Sequence, residues 1–204
     1  MRREVLTGTV AVGLLAFAVT ALAQGPSIVR EVRSAISCTS WPCSPVKDFS
    51  VAEATLERYR AANGTTSQAL EALSWLARGA LAAGNLERAN AYASEAQDLA
   101  VALLKTRKLA EDPSLEIALG AAIEVQAQVR AAQGRRSDAV YFLRRELETY
   151  QEPQSLHMRI QKNVNLLSLE GQPAPALQGG DTLGRRLPGF EELRGKVVLM
   201  FFWA

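Results

Sequence analysis

Between Ser50 and about Leu167, apolar residues recur about every third or fourth position, the spacing of helices with one buried face. Six helices follow from that pattern. Ser50-Val51-Ala52-Glu53 reads as a capping box, in which the serine hydroxyl accepts from the third amide and the glutamate reaches back. Ala52, Leu56 and Tyr59 then share one face until Asn63-Gly64 stops the helix. A second helix, from about Ser67 to Ala83, turns Leu70, Leu73, Leu76, Ala77 and Ala80 toward a core. Gly84-Asn85 breaks it, and Asn85 caps a third helix, from about Leu86 to Lys108, carrying Ala89, Ala93, Ala96, Leu99 and Leu103. Asp112-Pro113 supplies an N-cap and a proline at the first helical position of a fourth helix, which Gly134 ends. A fifth helix runs from about Ser137 to Tyr150. A sixth runs from about Pro153 to Leu167, with Leu156, Ile160, Val164 and Leu167 as one stripe.

The pattern changes at both ends of this region. Met1-Arg2-Arg3 is basic, no residue from Val5 to Ala23 is charged, and Ala21-Leu22-Ala23 fits a small-x-small cleavage site. That is the layout of an export signal, residues 1–23, and the apolar run 5–23 is also long enough to remain as a membrane anchor. Either outcome places the rest in the periplasm or otherwise outside the cytoplasm. Residues 24–48 read as a linker that holds both cysteines, in Ser37-Cys38-Thr39-Ser40-Trp41-Pro42-Cys43-Ser44-Pro45. An oxidising compartment favours a structural disulfide between Cys38 and Cys43, with free or metal-linked thiols and a redox pair as the alternatives. A redox pair wants two intervening residues at a helix N-terminus; here four intervene, and Pro42 and Pro45 oppose a helix.

From Glu170 onward the helical period is gone. Pro173 and Pro175 remove amide donors, Gly179-Gly180-Asp181-Thr182-Leu183-Gly184 makes a turn, and Phe190-Glu191-Glu192-Leu193 makes a short helical turn. After a second turn at Arg194-Gly195-Lys196, the run Val197-Val198-Leu199-Met200-Phe201-Phe202-Trp203 has the composition of a central strand buried on both faces. It is too short to span a bilayer.

Composition narrows the function classes. Hydrophobic residues at 48% and charged residues at 22% exclude global disorder, and aromatics at 6% favour helices over a β-sandwich. A net charge of +2 gives no field for nucleic acid. A single histidine argues against a His-rich metal site or a Ser-His-Asp triad. His157 reads as a surface or half-buried structural residue. Arg135, Arg136, Arg144, Arg145 and Glu146 read as solvated faces.

Two hairpins echo each other. Leu73, Leu76-Ala77, Ala80, Gly84, Ala89 and Ala96 parallel Ile123, Ala127, Arg130, Gly134, Ala139 and Leu143, with the turn glycines 50 residues apart. The region 49–168 resembles tetratricopeptide repeats, although the spacing exceeds the usual repeat of about 34 and most aromatic positions are lost. A generic helical bundle is the alternative. The resemblance implies a concave face turned toward a protein partner.

The end of the chain resembles another family. Gly171-x-Pro173-Ala174-Pro175, then Leu193-Arg194-Gly195-Lys196-Val197-Val198-Leu199, then Phe202-Trp203-Ala204 is similar to the opening of redoxin domains, thioredoxin-like proteins of the TlpA/ResA and AhpC/TSA groups. Ala176-Leu177 stands where these often have Asp-Phe, and Gly179-Gly180 loosens the first hairpin. With the helical region before it, the expected fold is mainly α: a tetratricopeptide-like helical hairpin array followed, over 169–204, by what this resemblance implies is the start of an incomplete thioredoxin-like α/β domain. It implies an antioxidant thiol-disulfide oxidoreductase acting on protein thiols and disulfides, without a cofactor. Phe202, Trp203 and Ala204 would form the approach to a Cys-x-x-Cys expected just after Ala204, so the chain as it stands is expected to be inactive. A peroxiredoxin-type peroxidase and a helical protein-binding scaffold are the competing expectations.

Overall fold

The computed structural model describes residues 27–37, 48–173, 189–199 and 201. Its first helix, α1 (Ile28–Ile36), lies inside the segment expected to be a linker. Ser27 Oγ accepts from the Arg30 amide at 3.3 Å, and Ile28 and Val32, one turn apart, are buried. Nine residues are too few for a helix to hold itself together in water, so α1 depends on packing against α2 (Ser50–Asn63) and α3 (Ser67–Ala82).

The capping box expected at Ser50 does not form. Phe49 occupies the N-cap position, Ser50 is already helical, and Asp48 Oδ1 accepts the Ser50 amide at 2.9 Å. The reason is packing: Phe49 is 1% exposed, and its ring sits over Gly79 of α3. Gly64, with φ 72°, ends α2 as expected. Thr66 caps α3 by accepting the Ala69 amide at 3.1 Å, and Asn85 caps α4 (Leu86–Leu103) by accepting the Arg88 amide at 3.1 Å.

The third expected helix stops at Leu103 rather than near Lys108. Beyond it the chain turns to bury Leu109 in a short 3-10 turn, Leu109–Glu111, and Arg107 pairs with Asp112 at 2.8 Å. Asp112 Oδ1 then accepts the Leu115 amide at 3.2 Å and opens α5 (Pro113–Ala132) with proline in its first turn. Two further helices follow, α6 (Arg136–Thr149) and α7 (Gln154–Leu169).

The hairpin turns at Gly84 and Gly134 share the same helix-terminating backbone bonds. Their φ values are 75° and 78°, the left-handed region that glycine alone enters without strain. The Asn85 and Arg135 amides reach back to the Ala80 and Arg130 carbonyls, both at 2.9 Å, closing the same helix-terminating motif 50 residues apart.

The packing has a simple order. α1 touches α2 and α3, α3 touches α4 and α5, and α5 touches α6 and α7. Each even-numbered helix also packs against the odd-numbered helix that follows it, while the backbones of α2, α4 and α6 stay apart and these helices meet only through long polar side chains. Helices α1, α3, α5 and α7 therefore form one continuous row, with α2, α4 and α6 laid along it as outer members. Ala89, Ala93, Ala96 and Ala100 of α4 are fully enclosed, and their small side chains let α4 settle close against α3 and α5. Leu73, Leu76, Phe49, Val125 and Val129 belong to one apolar cluster; Leu115, Leu119, Ile123, Leu143, Leu156 and Ile160 belong to a second. α5 contributes to both and is the axis of the stack.

No strand occurs among the described residues. Phe190–Leu193 is a 3-10 turn, matching the short helical turn expected there. Val197, Val198, Leu199 and Phe201 are exposed and unpaired by any strand, whereas their composition led to the expectation of a buried central strand. A strand exists only by hydrogen bonding to neighbours, and no neighbouring strand is present among the described residues.

Candidate functional site

Cys38, Cys43, Phe202, Trp203, Ala204 and the apolar segment 5–23 lie outside the described residues. The residues expected on solvated faces divide. Arg135, Arg144 and Arg145 are exposed. Arg136 is not simply solvated: its Nε donates to the Leu167 carbonyl at 2.6 Å and its Nη2 to the Glu170 carbonyl at 3.2 Å, so it closes the C-terminal end of α7. Both partners are carbonyls of a helix end, where a cation is favoured. Glu146 is half-buried and accepts from Gln97 Nε2 at 3.2 Å; burial holds its carboxyl above the ordinary value of 4.5. His157 is half-buried, with Nδ1 3.2 Å from the Tyr150 carbonyl oxygen.

The most chemically distinctive cluster lies along the row of odd-numbered helices. Glu71, Trp75 and Arg78 fall on one stripe of α3. Trp75 is half-buried and carries two guanidinium groups against its ring: Arg33 of α1 stands 4.1 Å from the ring centre and Arg78 stands 4.5 Å from it. The indole face attracts both cations, Arg planes especially. Desolvation by burial, then the charge of Arg159, pull the Arg78 guanidinium below its ordinary value, with Glu124 and Glu71 opposing.

One step along the row, Arg159 of α7 places Nε and Nη2 on Glu124 Oε2 of α5 at 2.9 and 2.7 Å. Gly120 makes this crossing feasible, because a Cβ there would stand 3.0 Å from both Arg159 Cδ and Leu156 Cδ1. Glu116 and Ser155 add a further hydrogen bond between α5 and α7. The row thus carries alternating charge, with one tight ion pair at Arg159–Glu124 and two arginines gathered at Trp75.

The side of the outer helices is chemically quieter. Tyr92 of α4 donates to Glu53 of α2, and burial followed by that bond pushes its hydroxyl up to about 12. Arg60 pairs with Glu95 at 2.7 Å. Gln97 and Gln126 link α4 to α5 beneath Glu146. These contacts hold helices together, and none sets a nucleophile beside a base.

Sequence reasoning missed the Trp75 cluster. Trp75 and Arg78 share a helix face visibly enough, but Arg33 and Arg159 come from helices 42 residues before and 84 residues after Trp75. Among the described residues there is no group of three or more His, Cys, Asp or Glu arranged to hold a metal ion, and no helix long and apolar enough to cross a membrane. No family model, curated protein or solved structure matches the chain.

Proposed function

We propose that the chain belongs to an exported thioredoxin-like thiol-disulfide oxidoreductase whose helical region, tetratricopeptide-like in character, holds a protein partner beside the redox domain. The observation that carries this reading is the ordered string Gly171-x-Pro173-Ala174-Pro175, Leu193-Arg194-Gly195-Lys196-Val197-Val198-Leu199 and Phe202-Trp203-Ala204. Any one piece is common; all of them in this order and spacing are not.

The chemistry that the resemblance implies is specific. A strand ending at Ala204 delivers a first cysteine to a helix N-terminus, where backbone amides and the helix dipole stabilise its thiolate. The thiolate attacks a substrate disulfide, and a second cysteine resolves the mixed disulfide, leaving the substrate reduced and the enzyme oxidised. Cys38 and Cys43 do not serve, since four residues separate them and they precede the helical region. The basic start, the uncharged run to Ala23 and the Ala-x-Ala site support export to an oxidising compartment.

A scaffold reading is the second, favoured by the Arg33–Trp75–Arg78 cluster on the row of odd-numbered helices. The coding sequence after the Ala204 codon separates the readings. Trp-Cys-x-x-Cys within the next few codons is the expected result. Pro-x-x-x-Thr-x-x-Cys would transfer the reading to a peroxidase, and a continuation without cysteine would leave the scaffold.

A further inference from the structure

We propose that the row formed by α1, α3, α5 and α7 docks an acidic peptide segment of a partner protein, its carboxylates held by Arg33 and Arg78 beside Trp75. This deepens the partner-binding half of the proposed function and is independent of the redox half. Among the described residues Arg159 is answered by Glu124 at 2.7 Å, whereas no carboxylate pairs with Arg33 or Arg78.

Both guanidinium groups stand within 4.5 Å of one ring centre, so two positive charges are held under about 9 Å apart by an aromatic platform. Attraction to the ring holds each guanidinium beside the indole, and a guanidinium carries N–H edges suited to bidentate contact with a carboxylate. Arg33 also lines a cleft of about 490 Å³ along α1 together with Arg30, Ser27, Val29, Ser34 and Ser37, so a further cation lies on the same helix.

The row also discriminates among anions. Glu71 lies on the same stripe of α3 as Trp75, and Glu124 follows on α5. A uniform polyanion such as nucleic acid meets repulsion there, and a net charge of +2 gives it no compensating field. A peptide offers spaced carboxylates, and between them backbone amides able to donate to Glu71.

The test is a titration of the 204-residue protein, at low ionic strength, with a fluorescein-labelled octapeptide of alternating Glu and Ala. Its Gln-Ala counterpart and a single-stranded DNA oligonucleotide serve as competitors. The Glu peptide is expected to bind at least about tenfold more tightly than either competitor. Arg33→Gln with Arg78→Gln is expected to abolish that preference while the thermal melt stays that of a folded helical protein. Arg144→Gln with Arg145→Gln, on the exposed side of α6, is expected to leave it intact. Equal affinity for the Gln peptide, preference for DNA, no binding, or equal loss in both double variants would overturn the proposal. No thiol takes part in the readout, so failure here leaves the oxidoreductase reading standing, and the reverse.

Discussion

Replacing Phe49 by alanine tests whether the entry to α2 is an anchored corner or a passive linker end. Phe49 is 1% exposed, and its ring presses on α3 so closely that a Cβ on Gly79 would lie 3.1 Å from Phe49 Cε1 and 3.1 Å from Ile36 Cδ1. A buried aromatic side chain removes about 150–250 Å² from water, and at about 25 cal/mol per Å² this gives an upper bound of about 4–6 kcal/mol. The unfolded chain already hides part of that area, and measured Phe→Ala changes in cores cost about 3–5 kcal/mol. Phe49→Ala is therefore expected to lower the unfolding free energy by about 3 kcal/mol or more in urea titrations followed by far-ultraviolet circular dichroism. Val51→Ala, two residues on and 69% exposed, should stay within about 0.5 kcal/mol of the unchanged protein. A Phe49→Ala loss below about 1 kcal/mol, or one equal to that of Val51→Ala, would refute the packing argument.

Two further outcomes follow from the same structure. Burial holds the Glu146 carboxyl above 4.5, so over the window between that value and the raised one the folded protein keeps a proton that the unfolded chain releases. That contribution favours folding at low pH and is lost as pH rises through the raised value. Glu146→Gln, which still accepts from Gln97, should thus melt higher than the unchanged protein at about pH 7 and converge with it near about pH 4, as read by melting temperature across pH. Gly134, at φ 78° with nothing within 4 Å of where a Cβ would stand, is constrained by backbone alone. Gly134→Ala should therefore cost about 1 kcal/mol in urea unfolding and Gly134→Asn less, a difference that vanishes if the turn does not need the left-handed region.

What was legible in the chain was local chemistry. Asp112-Pro113 states both the cap and the first turn of α5, and Gly84-Asn85 and Gly134 state the ends of helices whose cores are spaced by a single helical period. Ala89, Ala93 and Ala96 fall on the apolar stripe of the third expected helix, and these residues are enclosed. What was not legible depends on residues far apart in the chain. Ser50 and Glu53 carry the signature of a capping box, yet the burial of Phe49 against α3 outweighs it and the helix begins one residue early. α1 shows a cap and an apolar stripe of only nine residues, and its order comes from α2 and α3 rather than from itself. Helical propensity continues past Leu103, but the gain from burying Leu109 turns the chain away. The Trp75 cluster needs α1, α3, α5 and α7 in register, which no local pattern reports.

The oxidoreductase reading is tested most directly by insulin disulfide reduction with dithiothreitol, comparing the 204-residue polypeptide with the chain continued through its own coding sequence. Background turbidity is expected for residues 1–204, whose only cysteines are Cys38 and Cys43, and robust reduction by the continued chain. Turnover by the 204 residues alone, or none by the continued chain, would contradict it.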